Sequence, residues 1–288
     1  MNILQDQTCL ITGASRGLGA QIADSFWNAG ANLILVARSA DALGQLAGGL
    51  PKRTEQRVVT IVANLTDPDV PAQILAEARR QFDALDVLVN NAAIQGPVGL
   101  LWQNDWAEWQ ATIQVNLLAP VALCRLAGPW MSNHAQRSKI INLSGGGGTG
   151  PRPNVSAYAT AKSGLIRFAE TLAEEVRDSM DVNCIAPGAM KTAMLESLLA
   201  AGPEAAGQKE YAQALKVRDS GGTDPARAVA LCVFLASSAS DGITGKLISA
   251  VWDPWEHFPE HLDDLKKTDI YTLRRIVPKD RGMDWGDV

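Results

Sequence analysis

Apolar runs of five to seven residues alternate with helix-patterned stretches along most of the chain. "TCLIT" (8–12) leads into "GLGAQIADSFWNAG", "NLILVA" (32–37) into "SADALGQLAGGL", and "RVVTIVA" (57–63) into "DPDVPAQILAEARRQF". "LDVLVN" (85–90), "SKIINLS" (138–144), "DVNCIA" (181–186) and "KLISAV" (246–251) continue the series, with a long helix expected over 156–178. Continuously apolar strands separated by helices specify a parallel sheet buried on both faces, since crossover helices cover both sides. Right-handed crossovers then give an α/β fold: one doubly wound parallel sheet of about seven strands, occupying residues 1–251. Two regions break the alternation. Residues 192–222 read as one or two small helices hung on loops, a substrate-side insertion. Residues 252–288 form a C-terminal extension holding Trp252, Trp255 and Trp285 among many other apolar residues. Such a tail is expected to pack on its own domain or on a neighbouring subunit and to help wall the site.

The connection after the first strand is "TGASRGLG" (12–19). Gly13, Gly17 and Gly19 permit a tight turn and a close backbone approach, and the helix beyond offers free N–H groups to a pyrophosphate. The spacing is one residue longer than the usual dinucleotide fingerprint of the Rossmann fold, but it stands in the required strand–turn–helix context. An acid for the ribose 2′-OH commonly ends the second strand of such sheets. Here Arg38 and Ser39 stand there, and Arg16 lies within the loop. Forked guanidinium donors suit a 2′-phosphate, so NADP(H) is favoured over NAD(H).

Tyr158 and Lys162 fall four apart at the start of the helix after the fifth strand, hence on one face and at the ligand-binding edge of the sheet. Carbonyl reduction needs a proton as well as a hydride. A tyrosine titrates near 10, so proton transfer at neutral pH requires about 4 kcal/mol in favour of the phenolate. A fixed ammonium nearby supplies that scale. Ser144, at the end of the adjacent strand, offers a hydroxyl for the substrate oxygen.

With these residues in place the chain resembles the short-chain dehydrogenase/reductase family over residues 6 to about 250. "TGASRGLG" resembles its cofactor loop, and "NNAA" (90–93) its N-N-A-G, with Ala93 for glycine. "WQATIQVNLL" (109–118) puts Asn116 at its catalytic asparagine, "NLS" puts Ser144 at its serine, and "YATAK" supplies the Tyr and Lys. "APGAMKT" (186–192) resembles its P-G-x-x-x-T. The resemblance implies Tyr158 as acid/base, Ser144 steadying the substrate oxygen, and Lys162 lowering the Tyr158 pKa while holding the ribose. It implies Asn116 holding a water that relays protons to Lys162. It also implies cofactor contacts from Ser15, Leu18, Asn64, Leu65, Asn90, Ala92, Pro187, Gly188, Met190 and Thr192, and assembly as a homodimer or homotetramer. Three departures stand out. Ser144 lies 14 positions before Tyr158, one more than is common, and Gly145 occupies the commoner place within the run Gly145–Gly148. Asn64 replaces an aspartate near the adenine. Val251, Trp252 and Asp253 replace the usual aspartate and two glycines after the last strand.

Charge and composition exclude other classes. A net charge of -5 without a basic block argues against nucleic acid as a partner. No apolar run of membrane-spanning length is evident, and no basic region followed by a long apolar run opens the chain, so a cytoplasmic location is expected. Cys9, Cys124, Cys184 and Cys232 are widely spaced and read as buried thiols. "HFPEH" (257–261) resembles a zinc-hydrolase motif, which would use His257, Glu260 and His261. Pro259 interrupts it, and no metal is expected. Trp102, Trp106 and Trp109 share a helical face, as core, subunit contact or an aromatic wall at the substrate mouth. The expected activity is NADP(H)-dependent hydride transfer between nicotinamide and a small ketone, keto-sugar or keto-ester or the matching alcohol. An NAD-dependent dehydrogenase, an epimerase working through a keto intermediate, and a cofactor binder without catalysis are the alternatives.

Overall fold

The computed structural model describes residues 2–133 and 136–285, so the last three residues of the 252–288 extension lie outside it. β1 (Thr8–Thr12), β2 (Asn32–Ala37), β3 (Val58–Val62), β4 (Val87–Asn90), β5 (Ser138–Leu143), β6 (Met180–Ala186) and β7 (Leu247–Ser249) form one parallel sheet in the order β3-β2-β1-β4-β5-β6-β7. The central strands are buried throughout, whereas β3 at the edge is half exposed, which matches its mixed sequence. The helices are α1 (Gly17–Asn28), α2 (Ala40–Gly49), α3 (Val70–Gln81), α4 (Trp106–Ile113), α5 (Ala119–Met131), α6 (Ser156–Glu175), α7 (Ala193–Ala200), α8 (Gly202–Ala206), α9 (Gln208–Ser220), α10 (Ala226–Ala236) and α11 (Leu262–Lys267). Phe26, Ile22, Leu231 and Leu235 pack α1 and α10 on one face, and Ile74, Leu123 and Ile166 pack α3, α5 and α6 on the other. Strand order reverses direction between β1 and β4, which opens a crevice at their carboxyl ends.

The observed boundaries depart from the sequence reading for local reasons. α6 stops at Glu175 rather than 178, because residues 176–179 must turn into β6. β7 is only three residues long. After it, Ser249 Oγ accepts the N–H groups of Val251 and Trp252, and Asp253 Oδ2 accepts the Ser249 N–H at 2.6 Å, so the chain turns away. The 192–222 segment holds three helices, α7 to α9, broken at Gly202 and Gly207, both with positive φ. α4, a π turn (Gln114–Leu118) and α5 form one continuous helix over Trp106–Met131. By length and apolarity it passes as a membrane span, contrary to the sequence reading, yet here it lies against α3 and α6 of the domain.

The C-terminal extension is built into this domain. Trp255, Phe258 and Leu265 are buried in the α1/α10 core, with Trp255 tilted against Phe234 at 5.5 Å. The chain then returns along β7. Leu247 N–H donates to Tyr271 O at 2.8 Å, Lys246 Nζ to Ile270 O at 3.0 Å, and Leu273 N–H to the Glu170 carboxylate at 2.6 Å. The free edge of the last strand is thereby covered.

Candidate active site

One cavity of about 1270 Å³ runs along the carboxyl edge of the sheet from β2 to the α7–α9 segment. Its volume exceeds the roughly 300–1,000 Å³ of an ordinary ligand pocket. At one end lie Gly13, Ser15, Arg16, Gly17, Leu18 and Gly19 of the first turn, with Arg38, Ser39, Asn64 and Leu65 beside them. Two positions of the turn leave no room for a side chain: a Cβ on Gly19 would sit 2.3 Å from Gly13 O, and one on Gly13 would sit 2.9 Å from Ala92 Cα. The first turn of α1 has no side-chain cap, so its N–H groups stay open to an anion. Arg16 and Arg38 are exposed at this end. The donor set and the bare backbone fit a dinucleotide with an additional phosphate.

Tyr158 and Lys162 stand in the middle of the cavity, both at least nine-tenths buried. Lys162 Nζ lies 5.6 Å from the centre of the Tyr158 ring and donates to Leu143 O at 2.6 Å. Burial pushes Lys162 down to about 8. Burial raises Tyr158, and the Arg152 charge opposes that rise. The α6 helix thus presents a phenol and an ammonium on one face, as their spacing requires.

Two expected partners are arranged differently. Ser144 borders the cavity, but its Oγ is buried without a hydrogen-bond partner and lies 2.9 Å from where a Cβ on Gly148 would be, beside Ile166. The position facing the tyrosine is Gly145, whose Cβ would fall 2.7 Å from Tyr158 Oη. Ser144 Oγ thus makes no hydrogen bond to the phenol, and it is Gly145 that packs against Tyr158 Oη. Asn116 sits in the π turn with both polar atoms of its side chain taken: Oδ1 accepts Ile94 N–H at 2.9 Å and Nδ2 donates to Ile94 O at 2.8 Å. It does not border the cavity, and these two bonds pin the loop after β4.

The remaining predicted residues divide in the same way. Ala92, Pro187, Gly188, Met190 and Thr192 border the cavity, and Thr192 also caps α7. Asn90 does not. As the last residue of β4 it points into the sheet, with its Nδ2 2.9 Å from Asn142 Oδ1. Its neighbour Asn91 is the cavity residue, and its Nδ2 donates to Thr12 O at 2.9 Å and to Gly13 O at 3.2 Å, holding the first turn. Strand alternation was the signal that could have separated these two asparagines. Arg152, Glu210 and Trp252 were also missed as cavity residues.

The residues of the other readings lie elsewhere. His257 pairs with Glu260 and His261 faces Asp264, and among the described residues no three His, Cys, Asp or Glu side chains converge as a metal site. Trp102 belongs to a separate short turn, while Trp106 and Trp109 stack at 5.0 Å. Trp102 and Trp106 are exposed, and none of the three borders the cavity. The four cysteines are free and buried, and burial holds the Cys124 thiol up at about 12.

A family model described as short chain dehydrogenase matches residues 7–202. An uncharacterized oxidoreductase of Mycobacterium tuberculosis is 34% identical over 245 residues, covering 85% of this chain and 90% of that protein. A 3-oxoacyl-[acyl-carrier-protein] reductase of Escherichia coli K12 is 34% identical over 250 residues, covering 85% and 95%. A short chain dehydrogenase of Shigella flexneri 2a, solved in complex with NADP, superposes with a TM-score of 0.74 at 26% identity, covering 86% of this chain and 98% of that one.

Proposed function

The chain belongs to the short-chain dehydrogenase/reductase family, and from that premise we propose that it is an NADP(H)-dependent oxidoreductase acting on a ketone, keto-sugar or keto-ester, or on the corresponding secondary alcohol. The observation that carries this is the placement of Tyr158 and Lys162 in the same continuous cavity as the glycine turn and Arg38. The bound nicotinamide supplies or accepts the hydride. Tyr158 Oη donates its proton to the carbonyl oxygen in reduction and takes it back in oxidation. The Lys162 ammonium stabilises the phenolate left behind. Gly145 rather than a side-chain donor packs against the phenol, and Tyr158 is the hydroxyl assigned to the substrate oxygen. A panel of ketones, keto-sugars and keto-esters, assayed by the loss of NADPH absorbance, tests the proposal. Binding of NADPH with no turnover on any member would identify a cofactor-binding protein instead.

Arg38→Asp is expected to raise the KM for NADPH by roughly 10- to 100-fold, the scale of a lost charge-assisted phosphate contact. The KM for NADH should stay within a few-fold, because a carboxylate repels a 2′-phosphate and accepts from a 2′-OH. Equal changes for both cofactors would remove Arg38 from the phosphate site.

Gly145→Ala places a methyl group 2.7 Å from Tyr158 Oη, well inside contact distance, so the phenol must move. A displacement near 1 Å costs about 10²-fold in rate, and that loss of kcat is expected at nearly unchanged melting temperature. Ser144→Ala, which removes a hydroxyl without a partner, should leave kcat within a few-fold. The reverse ranking would return the catalytic hydroxyl to Ser144.

A further inference from the structure

Arg152 lies outside every motif that carried the functional reading, on the loop between β5 and α6. Its Nε and Nη2 both donate to Glu210 Oε2, at 3.1 and 2.7 Å, and its Nη1 reaches Gly146 O at 3.4 Å. This fork holds the guanidinium carbon 5.8 Å from the centre of the Tyr158 ring. The glycine run makes the arrangement possible. A Cβ on Gly147, where φ is +98°, would lie 3.1 Å from Arg152 Cδ, and one on Gly146 would lie 3.8 Å from it. Together with Gly145 under the phenol, the run forms a bare backbone bed for the tyrosine and the arginine at once. Arg152, Glu210 and Tyr158 all border the same cavity, and the two charged side chains are each less than a quarter exposed. The charged groups around Tyr158 are therefore few. Lys162 approaches from α6, Arg152 from the loop, and Glu210 from α9, while Lys191 borders the cavity after β6. Cys184 on β6, close to Lys162, is held neutral by burial.

We propose that Arg152 is a positioning residue, a second cation besides Lys162 that sets the proton affinity of Tyr158, and that Glu210 on α9 tempers it. The inference rests on Tyr158 as the acid/base. A cation this near a partly dry phenol favours the phenolate, and a carboxylate on the far side of that cation weakens the effect.

The two members of the ion pair thus have opposite effects on Tyr158, whereas a purely structural latch would give the same loss whichever member were removed. The test is titration of the tyrosine near-ultraviolet absorbance against pH in the whole protein. Tyr158, Tyr211 and Tyr271 are its only tyrosines. Tyr211 adjoins Glu210, so the measurements use a Tyr211→Phe background, and the Tyr158 signal is isolated by subtracting Tyr158→Phe. Arg152→Gln is expected to move the Tyr158 titration about one pH unit higher, Arg152→Lys by less, and Glu210→Gln to move it lower. Shifts in the same direction for Arg152→Gln and Glu210→Gln, or none for either, would overturn the proposal. If Arg152→Gln does not fold, as judged by its melting curve, the sign under the isosteric Glu210→Gln decides alone, and any result but a fall overturns it. The readout needs no substrate, so failure of the oxidoreductase assignment would appear separately, as absent turnover with the titration shifts intact.

Discussion

Tyr158→Phe is expected to lower kcat by about 10²–10⁴-fold, the usual contribution of a positioned acid/base group, with NADPH binding held within a few-fold. The substitution removes one oxygen and keeps the ring. That ring is buried and flanked by the Lys162 ammonium and the Arg152 guanidinium, so its packing survives. Gly145, which packs against the phenol, has no side chain to donate, and Ser144 Oγ is not hydrogen-bonded to it. In a site with a second donor the loss would be partly compensated; here it should fall at the upper part of the range. The check is kcat in the substrate panel together with NADPH titration of the variant. A kcat within tenfold of the parent would show that the proton comes from elsewhere, and loss of NADPH binding would show that Tyr158 holds the cofactor rather than the proton.

The fold was legible in the sequence because a buried parallel strand leaves a continuous apolar run that no surface element imitates. Six of the seven strands fall within the runs read from the chain, β6 begins one residue earlier at Met180, and the other ends differ by at most two residues. The first turn was legible for a similar reason: only glycine fits at 13 and 19, so the spacing itself records the geometry. Side-chain direction was harder to read. Ser144 and Gly145, like Asn90 and Asn91, are adjacent residues at a strand end, and motif resemblance does not say which of two neighbours faces the crevice. A one-residue shift reverses the face. Asn116 carries the family's residue type, but its side chain is tied to the Ile94 backbone across 22 positions, a contact no local pattern encodes. The Arg152–Glu210 pair spans 58 positions and was invisible for the same reason. The four glycines at 145–148 were conspicuous in the sequence, yet their purpose depends on what lies over them.

Removal of residues 252–288 is expected to prevent stable folding altogether. Trp255, Phe258 and Leu265 are each at most 6% exposed inside the core that α1 and α10 share with the sheet. Burying three such side chains contributes about 5–9 kcal/mol, comparable with the whole stability of a typical domain, about 5–15 kcal/mol. Truncation also strips Tyr271 O from the Leu247 N–H and exposes the edge of β7, which invites association through that edge. A milder substitution separates packing from function. Trp255→Ala should cost about 3–5 kcal/mol and lower the melting temperature by about 10 °C, with the substrate KM of the remaining folded protein little changed. Trp252→Ala should do the reverse. Trp252 is 85% exposed yet borders the cavity, so its loss leaves the melting temperature in place and raises the substrate KM, with NADPH binding retained. If the truncated protein kept the melting temperature of the full chain, the extension would be an appendage rather than part of the core. If Trp252→Ala left the substrate KM unchanged, the extension would act in folding alone, and the substrate end of the cavity would be walled by the α7–α9 segment without it.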